Sequence, residues 1–149
     1  MQIAAAVQEG DAAIAEGHEA SYSNAIGAYG RAVEAGASRD ADVLAKLSNA
    51  YALTAQARLD EDPSADVETL RESALSAARS ALDADPRSLD AQLALVDALR
   101  LGGANTEARQ RLEELRSMSF SRTAEFFRVD ARLSGAQADG KLENGLRSA

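Results

Sequence analysis

The sequence predicts an all-α fold, and three observations carry that expectation. Of the 149 residues, 34 are alanine and 17 are leucine, while valine and isoleucine together number 9 and phenylalanine and tyrosine together 6. Strong helix formers therefore dominate and the β-branched and aromatic residues that favour strands are scarce, which argues against an all-β fold. Apolar residues recur at spacings of three and four almost throughout, the mark of amphipathic helices. Glycines, prolines and helix-capping residues then divide this pattern into helix-sized pieces. A chain of this length suits one domain with a sizeable core.

The elements follow in order. Ile3, Val7 and Ile14 begin one apolar face, interrupted at Gly10 or Asp11, and place a first helix over about residues 2–16. Tyr22, Ala25, Tyr29, Ala32 and Val33 mark a second, ending at Gly36, a natural C-terminal stop. Asp40 can cap a third helix, whose face runs through Leu44, Leu47, Tyr51, Ala55 and Leu59. The acidic turn Asp60-Glu61-Asp62-Pro63-Ser64 breaks it, and Ser64 or Asp66 can cap a fourth helix carrying Leu70, Ala74, Ala78, Ala81 and Leu82. That helix closes at Asp85-Pro86. Ser88 caps a fifth, with Leu89, Leu95 and Leu99, which runs to Gly102-Gly103. Asn105 or Thr106 starts a sixth, with Ala108, Leu112 and Leu115. Ser119 or Ser121 starts a seventh, with Phe120, Ala124, Phe127 and Ala131, and Gly135 and Gly140 suggest a loose tail. The expected division is one domain over 1–134 and a loosely packed or flexible tail over 135–149.

The anchors of these helices repeat. Ala74 and Ala108, Ala78 and Leu112, and Ala81 and Leu115 each stand 34 residues apart. Leu44-x2-Leu47-Ser48-x2-Tyr51 and, more weakly, Gln92-x2-Leu95-Val96-x2-Leu99 share one spacing. Ala25-x3-Tyr29 has counterparts in Ala74-x3-Ala78 and Ala108-x3-Leu112, and Ala32-Val33 in Ala81-Leu82. This pattern resembles the tetratricopeptide repeat in a degenerate form, with Leu44 in place of its Trp and Ser48 in place of its Gly. The resemblance implies a right-handed array of about three antiparallel helical hairpins plus a C-terminal capping helix. Physically, small residues at the anchors let paired helices approach closely, and one hairpin cannot bury its face alone. The middle pair departs from the pattern. Tyr51 lies 23 residues before Ala74, whereas Leu99 lies 9 before Ala108, so the middle pair has longer helices, a longer turn, or both.

Sixteen basic and 24 acidic residues give a formal charge of −8. The balance is uneven: residues 1–104 carry net −9 and residues 105–149 net +1. Nucleic-acid binding requires cations to neutralise phosphates, so it is not expected, nor is attraction to anionic lipid. A basic partner, or a largely apolar contact, suits the charge better. No stretch has the roughly 18–20 apolar residues that cross a bilayer, so no direct membrane insertion is expected. With Met1 as the true start, Glu9 falls too early for a signal peptide and the expected location is cytoplasmic. Arginine outnumbers lysine 14 to 2, which reads as a genomic composition bias of bacterial type.

Zero cysteine removes disulfides, thiolate catalysis and cysteine-ligated metal, and a single histidine removes any multi-histidine site. Gly135-x4-Gly140-Lys141 matches part of a phosphate-binding loop, but Leu142 stands where Ser or Thr is required and no strand precedes it. Asp60, Asp62, Ser64 and Asp66 alternate like the start of a calcium loop, yet Ala65 replaces its obligatory glycine and Pro63 intrudes; an exposed capping turn is the plainer reading. His18, with Glu16 and Glu19 nearby, reads as a solvated turn residue rather than a catalytic base. No nucleophile–base set or metal shell is assembled locally, so the chain is read as a non-enzyme that implies no cofactor.

Two surfaces remain as binding candidates. In tetratricopeptide-like arrays the first helix of each pair lines a concave groove. The resemblance thus places Asp42, Lys46 and Asn49 there, beside Ala45, with Asp90, Leu93, Asp97 and Arg100 in the next pair; Asp42 to Asp90 and Asn49 to Asp97 are both 48 residues. Asn49 falls where the family often has an asparagine that grips a peptide backbone. Asp90 and Asp97 replace the cations of a carboxylate clamp, so the groove leans acidic and suits a basic or amphipathic peptide or protein. The second candidate is the C-terminal stretch holding all three phenylalanines, where Arg122, Phe126 and Arg128 would dock on a neighbour in a larger assembly. Its plainer role is to cap the last hairpin, with Phe120 and Phe127 inward and Phe126 partly exposed. The expected function is therefore a protein-interaction scaffold, with a structural subunit of a larger complex as the alternative.

Overall fold

The structure, a computed structural model, describes residues 2–117. The seventh helix and the tail expected from the sequence, including Arg122, Phe126, Arg128 and the Gly135–Lys141 stretch, lie outside the described residues. Within them the fold is all-helical. The elements are α1 (Gln2–Glu16), α2 (Glu19–Ala32), α3 (Ala41–Glu61), α4 (Glu68–Ala84), α5 (Leu89–Leu101) and α6 (Asn105–Arg116). There is no strand among the described residues. Each helix packs on its neighbour in sequence, and α5 also packs on α3. Residues 9 and 11 of α1 meet residues 31 and 29 of α2, so these two helices run antiparallel.

Local chemistry sets the boundaries. The Asp40 carboxylate accepts from the amides of Asp42 and Val43 (3.0 and 3.2 Å) and opens α3. The Ser88 hydroxyl accepts from the Ala91 amide at 3.1 Å and opens α5. Both satisfy amides that a helix start leaves without intrahelical partners. The start of α4 differs from expectation. Its N-cap is Val67, which makes no side-chain cap, and Asp66 contributes only a 3.1 Å contact to the Glu68 amide. Ser64 is instead bound to Asp62. The α-helical part of α2 ends at Ala32 and the chain continues in a wide π-type turn, Val33–Ala37, where Gly36 takes φ 132°. A side chain there would be strained, which is why the stop falls at a glycine.

The middle pair is longer in both helices and in the turn. α3 continues ten residues past Tyr51 and α5 only two past Leu99; the turns are 62–67 and 102–104; α4 begins six residues before Ala74 and α6 three before Ala108. Packing is built on alanine. Ala25, Ala28, Ala32, Ala50, Ala55, Ala74, Ala78, Ala81, Ala91 and Ala108 are fully buried. Their small side chains bring helix axes close enough for a side chain of one to reach the backbone of another. Ser48 does so, its buried hydroxyl donating to the Ala74 carbonyl at 2.7 Å.

Candidate functional site

The side of the molecule formed by α1, α3 and α5 carries a cleft of about 320 Å³. Asp11 and Ile14 line it from α1, and Ala45, Lys46 and Asn49 from α3. Asp90, Leu93, Ala94 and Asp97 line it from α5, and Tyr29 of α2 closes the floor between α1 and α3. The lining keeps the 48-residue register. Ala45 and Leu93, Lys46 and Ala94, and Asn49 and Asp97 occupy equivalent places on α3 and α5.

Of the residues singled out in the sequence, Lys46, Asn49, Asp90, Leu93 and Asp97 meet in this cleft. Asp42 does not. It is exposed near the start of α3 and borders a separate shallow depression with Arg39, Asp40 and Asp85. Arg100 stands behind the cleft. Its Nε donates to Asp97 Oδ1 at 3.1 Å and its Nη2 to Gln56 Oε1 at 3.3 Å, which ties α5 to α3. Asp97 is 3% exposed as a residue, and burial of its carboxylate is tolerated because a charged hydrogen bond from Arg100 replaces water.

The α1 side was not legible in the sequence. Tyr29 is buried, and its ring lies flat against the α1 backbone at Gly10: a Cβ there would stand 2.7 Å from the ring's Cδ1 and Cζ. What the sequence showed as an interruption of an apolar face is thus the seat of an aromatic ring, and α1 continues unbroken through it. From that seat the Tyr29 hydroxyl donates to Asp11 Oδ1 at 2.7 Å. Lys46 Nζ donates to both Asp11 oxygens at 2.9 Å. Burial raises the Asp11 carboxyl, but the hydrogen bonds from Tyr29 and Lys46 and the lysine charge outweigh it, so its pKa lies below the ordinary 3.8. Burial, then the hydrogen bond to Asp11 and its charge, push the Tyr29 phenol well above its ordinary value. Asp11 is accordingly ionised and Tyr29 neutral at neutral pH. The only signal for this side was a long apolar-to-polar pairing, Gly10 with Tyr29, that no local spacing reveals.

The other candidates are resolved by their contacts. His18 caps α2: its Nδ1 accepts from the Ser21 amide at 3.2 Å while the Ser21 hydroxyl accepts from the His18 amide at 3.1 Å and donates to the His18 carbonyl at 2.8 Å. The serine hydroxyl therefore engages backbone, not the imidazole, and Glu16 lies 3.6 Å from Nε2 as an exposed pair. In the acidic turn, Asp62 accepts from the Ser64 amide and hydroxyl, and Asp60 from Gln56. No group of three or more His, Asp or Glu among the described residues could hold a metal ion. No helix among them is long and apolar enough to cross a membrane.

The cleft is lined by the carboxylates of Asp11 and Asp90, the buried Asp97 and the ammonium of Lys46, around an apolar floor of Ile14, Tyr29, Leu93 and Ala94. Such a surface can hold a cationic or amphipathic group by charge and apolar contact. In comparison with known proteins, no family model matches the chain and no curated protein matches it.

Proposed function

We propose that the chain is a non-enzymatic protein-interaction module of tetratricopeptide-like architecture. On this reading α1–α2, α3–α4 and α5–α6 are three hairpins of a right-handed array, and the cleft across α1, α3 and α5 is its concave face. The observation that carries the reading is the composition of that cleft. It is lined mainly by α1, α3 and α5, with Tyr29 of α2 at its floor, and α3 and α5 contribute residues at one 48-residue offset. An offset shared by the linings of two successive pairs is what stacked repeats would produce, and the inner face of such a stack is the extended surface available to a ligand.

The partner this surface suits is a basic or amphipathic peptide or protein segment. Its apolar side chains would rest on Ile14, above the buried Tyr29 and Leu93, and its cations would meet Asp90 at the rim and Asp11 beyond it. The test is a fluorescence-anisotropy panel of labelled helical peptides of matched length, with net charge from −4 to +4 by design, against the full chain. Affinity is expected to rise with positive charge and to weaken with salt. Asp90→Lys, an exposed position, is expected to weaken the best binder about tenfold, equivalent to about 1.4 kcal/mol. Asp97 is the wrong position for that test, because it is buried and holds Arg100. Equal affinity across the charge series, or no loss in Asp90→Lys, would remove the cleft as the basic-ligand site.

A further inference from the structure

The carboxylates that line the cleft differ in what an external cation would meet there. Asp97 is buried and accepts from Arg100 of its own helix. Asp11 is exposed and is held by side chains of two other helices. Its Oδ1 accepts from the Tyr29 hydroxyl at 2.7 Å and from Lys46 Nζ at 2.9 Å, and its Oδ2 accepts from the same Nζ at 2.9 Å. An ionised carboxylate has about four acceptor positions, two on each oxygen. Tyr29 and Lys46 occupy three of them, both on Oδ1 and one on Oδ2. Lys46 thus joins the α3 wall of the cleft to the α1 wall, and its ammonium stands where a ligand cation would meet Asp11.

A cation of the chain itself therefore fills this position, and binding there is an exchange. Both partners of the pair are partly exposed, and such pairs are weak, so Lys46 can turn to solvent at small cost. What the ligand gains is the difference between its own cation and the one displaced. A ligand lysine restores only what Lys46 gives up, one ammonium for another. A guanidinium does more, because its planar fork donates two parallel N–H bonds, one to each oxygen of a carboxylate. Asp11 has room for that fork once Lys46 has left. Tyr29 still holds one position on Oδ1, which leaves one on Oδ1 and both on Oδ2.

We propose that Lys46 is a built-in competitor at Asp11 and makes the cleft selective for ligands that bring arginine rather than lysine. This rests on the cleft being the site of a basic ligand, and it adds which cation that ligand carries. Lys46 is then a specificity-determining residue that opposes binding, not a contact that supports it. Weak cationic ligands are screened out because they cannot improve on the ammonium already in place. A guanidinium takes over both oxygens of Asp11 and releases the α3 wall from the α1 wall.

The test uses the full chain and the most basic peptide of the charge series, made once with every cation arginine and once with every cation lysine. The arginine form is expected to bind about fivefold tighter, as a bidentate contact outdoes a point charge. Lys46→Met removes the competitor and is expected to tighten both forms about threefold, the scale of an exposed pair. Lys46→Arg keeps the charge but makes the exchange one guanidinium for another, and Asp11→Asn removes the second acceptor oxygen. Each is expected to bring the arginine-to-lysine ratio close to one, with circular dichroism confirming that the helices persist. The chain has two lysines, Lys46 and Lys141, so selective ¹³C labelling gives Lys46 a signal of its own. The arginine peptide is expected to move that signal towards its position in Asp11→Asn. Equal affinity of the two forms for the wild type, a ratio unchanged by Lys46→Arg, or weaker binding in Lys46→Met overturns the proposal. If Asp90→Lys still weakens both forms in that case, the cleft remains the basic-ligand site and only the exchange at Asp11 falls. If neither form binds, the cleft reading falls and this proposal with it.

Discussion

The two walls of the cleft are held in place by different physics. On the α5 wall, Leu93 and Asp97 sit on a helix whose neighbours on either side of Leu93, Ala91 and Leu95, belong to the same apolar cluster as Ala78, Ala81, Ala108, Leu112 and Leu115. Its position follows from packing, and a single carboxylate, Asp97, is fixed there by Arg100. On the α1 wall the apolar cluster is small, comprising Ala13, Ala25, Tyr29 and Ala50 with partly buried neighbours. Here the geometry follows from one aromatic ring against one glycine and from a short chain of hydrogen bonds, Tyr29 to Asp11 to Lys46. The α5 wall is therefore rigid because it is full, and the α1 wall because its few polar groups are matched. Stress should act on them differently.

The largest effect is expected on the α5 side. Leu112 is fully buried beneath that wall, and Leu112→Ala should cost about 2–5 kcal/mol in chemical denaturation, the range for a leucine deleted from a core. The alanines around it have no longer side chains with which to fill the void. On the α1 side, Gly10→Ala puts a methyl group into the Tyr29 ring, and displacing that ring should cost about 1–3 kcal/mol. It should also perturb the resonances of Asp11 and Lys46, whereas Leu112→Ala should leave those unchanged.

A gentler change separates shape from hydrogen bonding. Tyr29→Phe keeps the ring on Gly10 and removes the donor to Asp11, for an expected loss of about 1–2 kcal/mol at neutral pH. That loss has a pH window. The Asp11 carboxyl is lower in the folded state, so its contribution is present above pH 3.8 and disappears as pH falls through the folded value. The Tyr29 phenol is raised in the folded state, so its contribution is complete below pH 10.0 and is lost as pH climbs above it. Thermal melts of wild type and Tyr29→Phe should therefore differ by a constant amount between those limits; the gap should narrow below the lower one as Asp11 is protonated, and narrow or reverse above the upper one, where only the wild type can ionise a buried phenol. A difference that persists at pH 2 would mean that the hydroxyl acts on something other than ionised Asp11. The smallest effect is expected from Lys46→Met. The pair with Asp11 is 38% and 47% exposed, so less than about 1 kcal/mol is at stake, and that should fall further in high salt.

The same contrast explains what could be read from the sequence. The α5 wall lies in a repeating pattern, and Asp90, Leu93 and Asp97 follow from carrying the register of α3 forward by 48 residues. Most helix limits were legible because capping is local: Asp40, Ser88 and the Gly102-Gly103 stop depend on residues within a turn or two. The start of α4 was less legible because two carboxylates and a serine compete within one short turn, and Ser64 is taken by Asp62. Asp11, Ile14 and Tyr29 were missed as lining residues because α1 matches the repeat poorly and its partner contacts span 18 residues or more. Arg100 was placed with the groove by register alone, yet its long side chain reaches Asp97 and Gln56 and braces the wall from behind. Asp42 shares the register too, but α3 turns that position to its end rather than into the cleft.

The measurement that tests the account most directly is a titration of the ¹⁵N-labelled full chain with one basic amphipathic helical peptide, alongside its charge-reversed counterpart. The basic peptide is expected to shift the amides of Asp11, Lys46, Asn49, Asp90 and Leu93 together, on both walls, and the acidic peptide to leave them in place. Shifts confined to the outer faces of α4 and α6, or equal responses to both peptides, would contradict it.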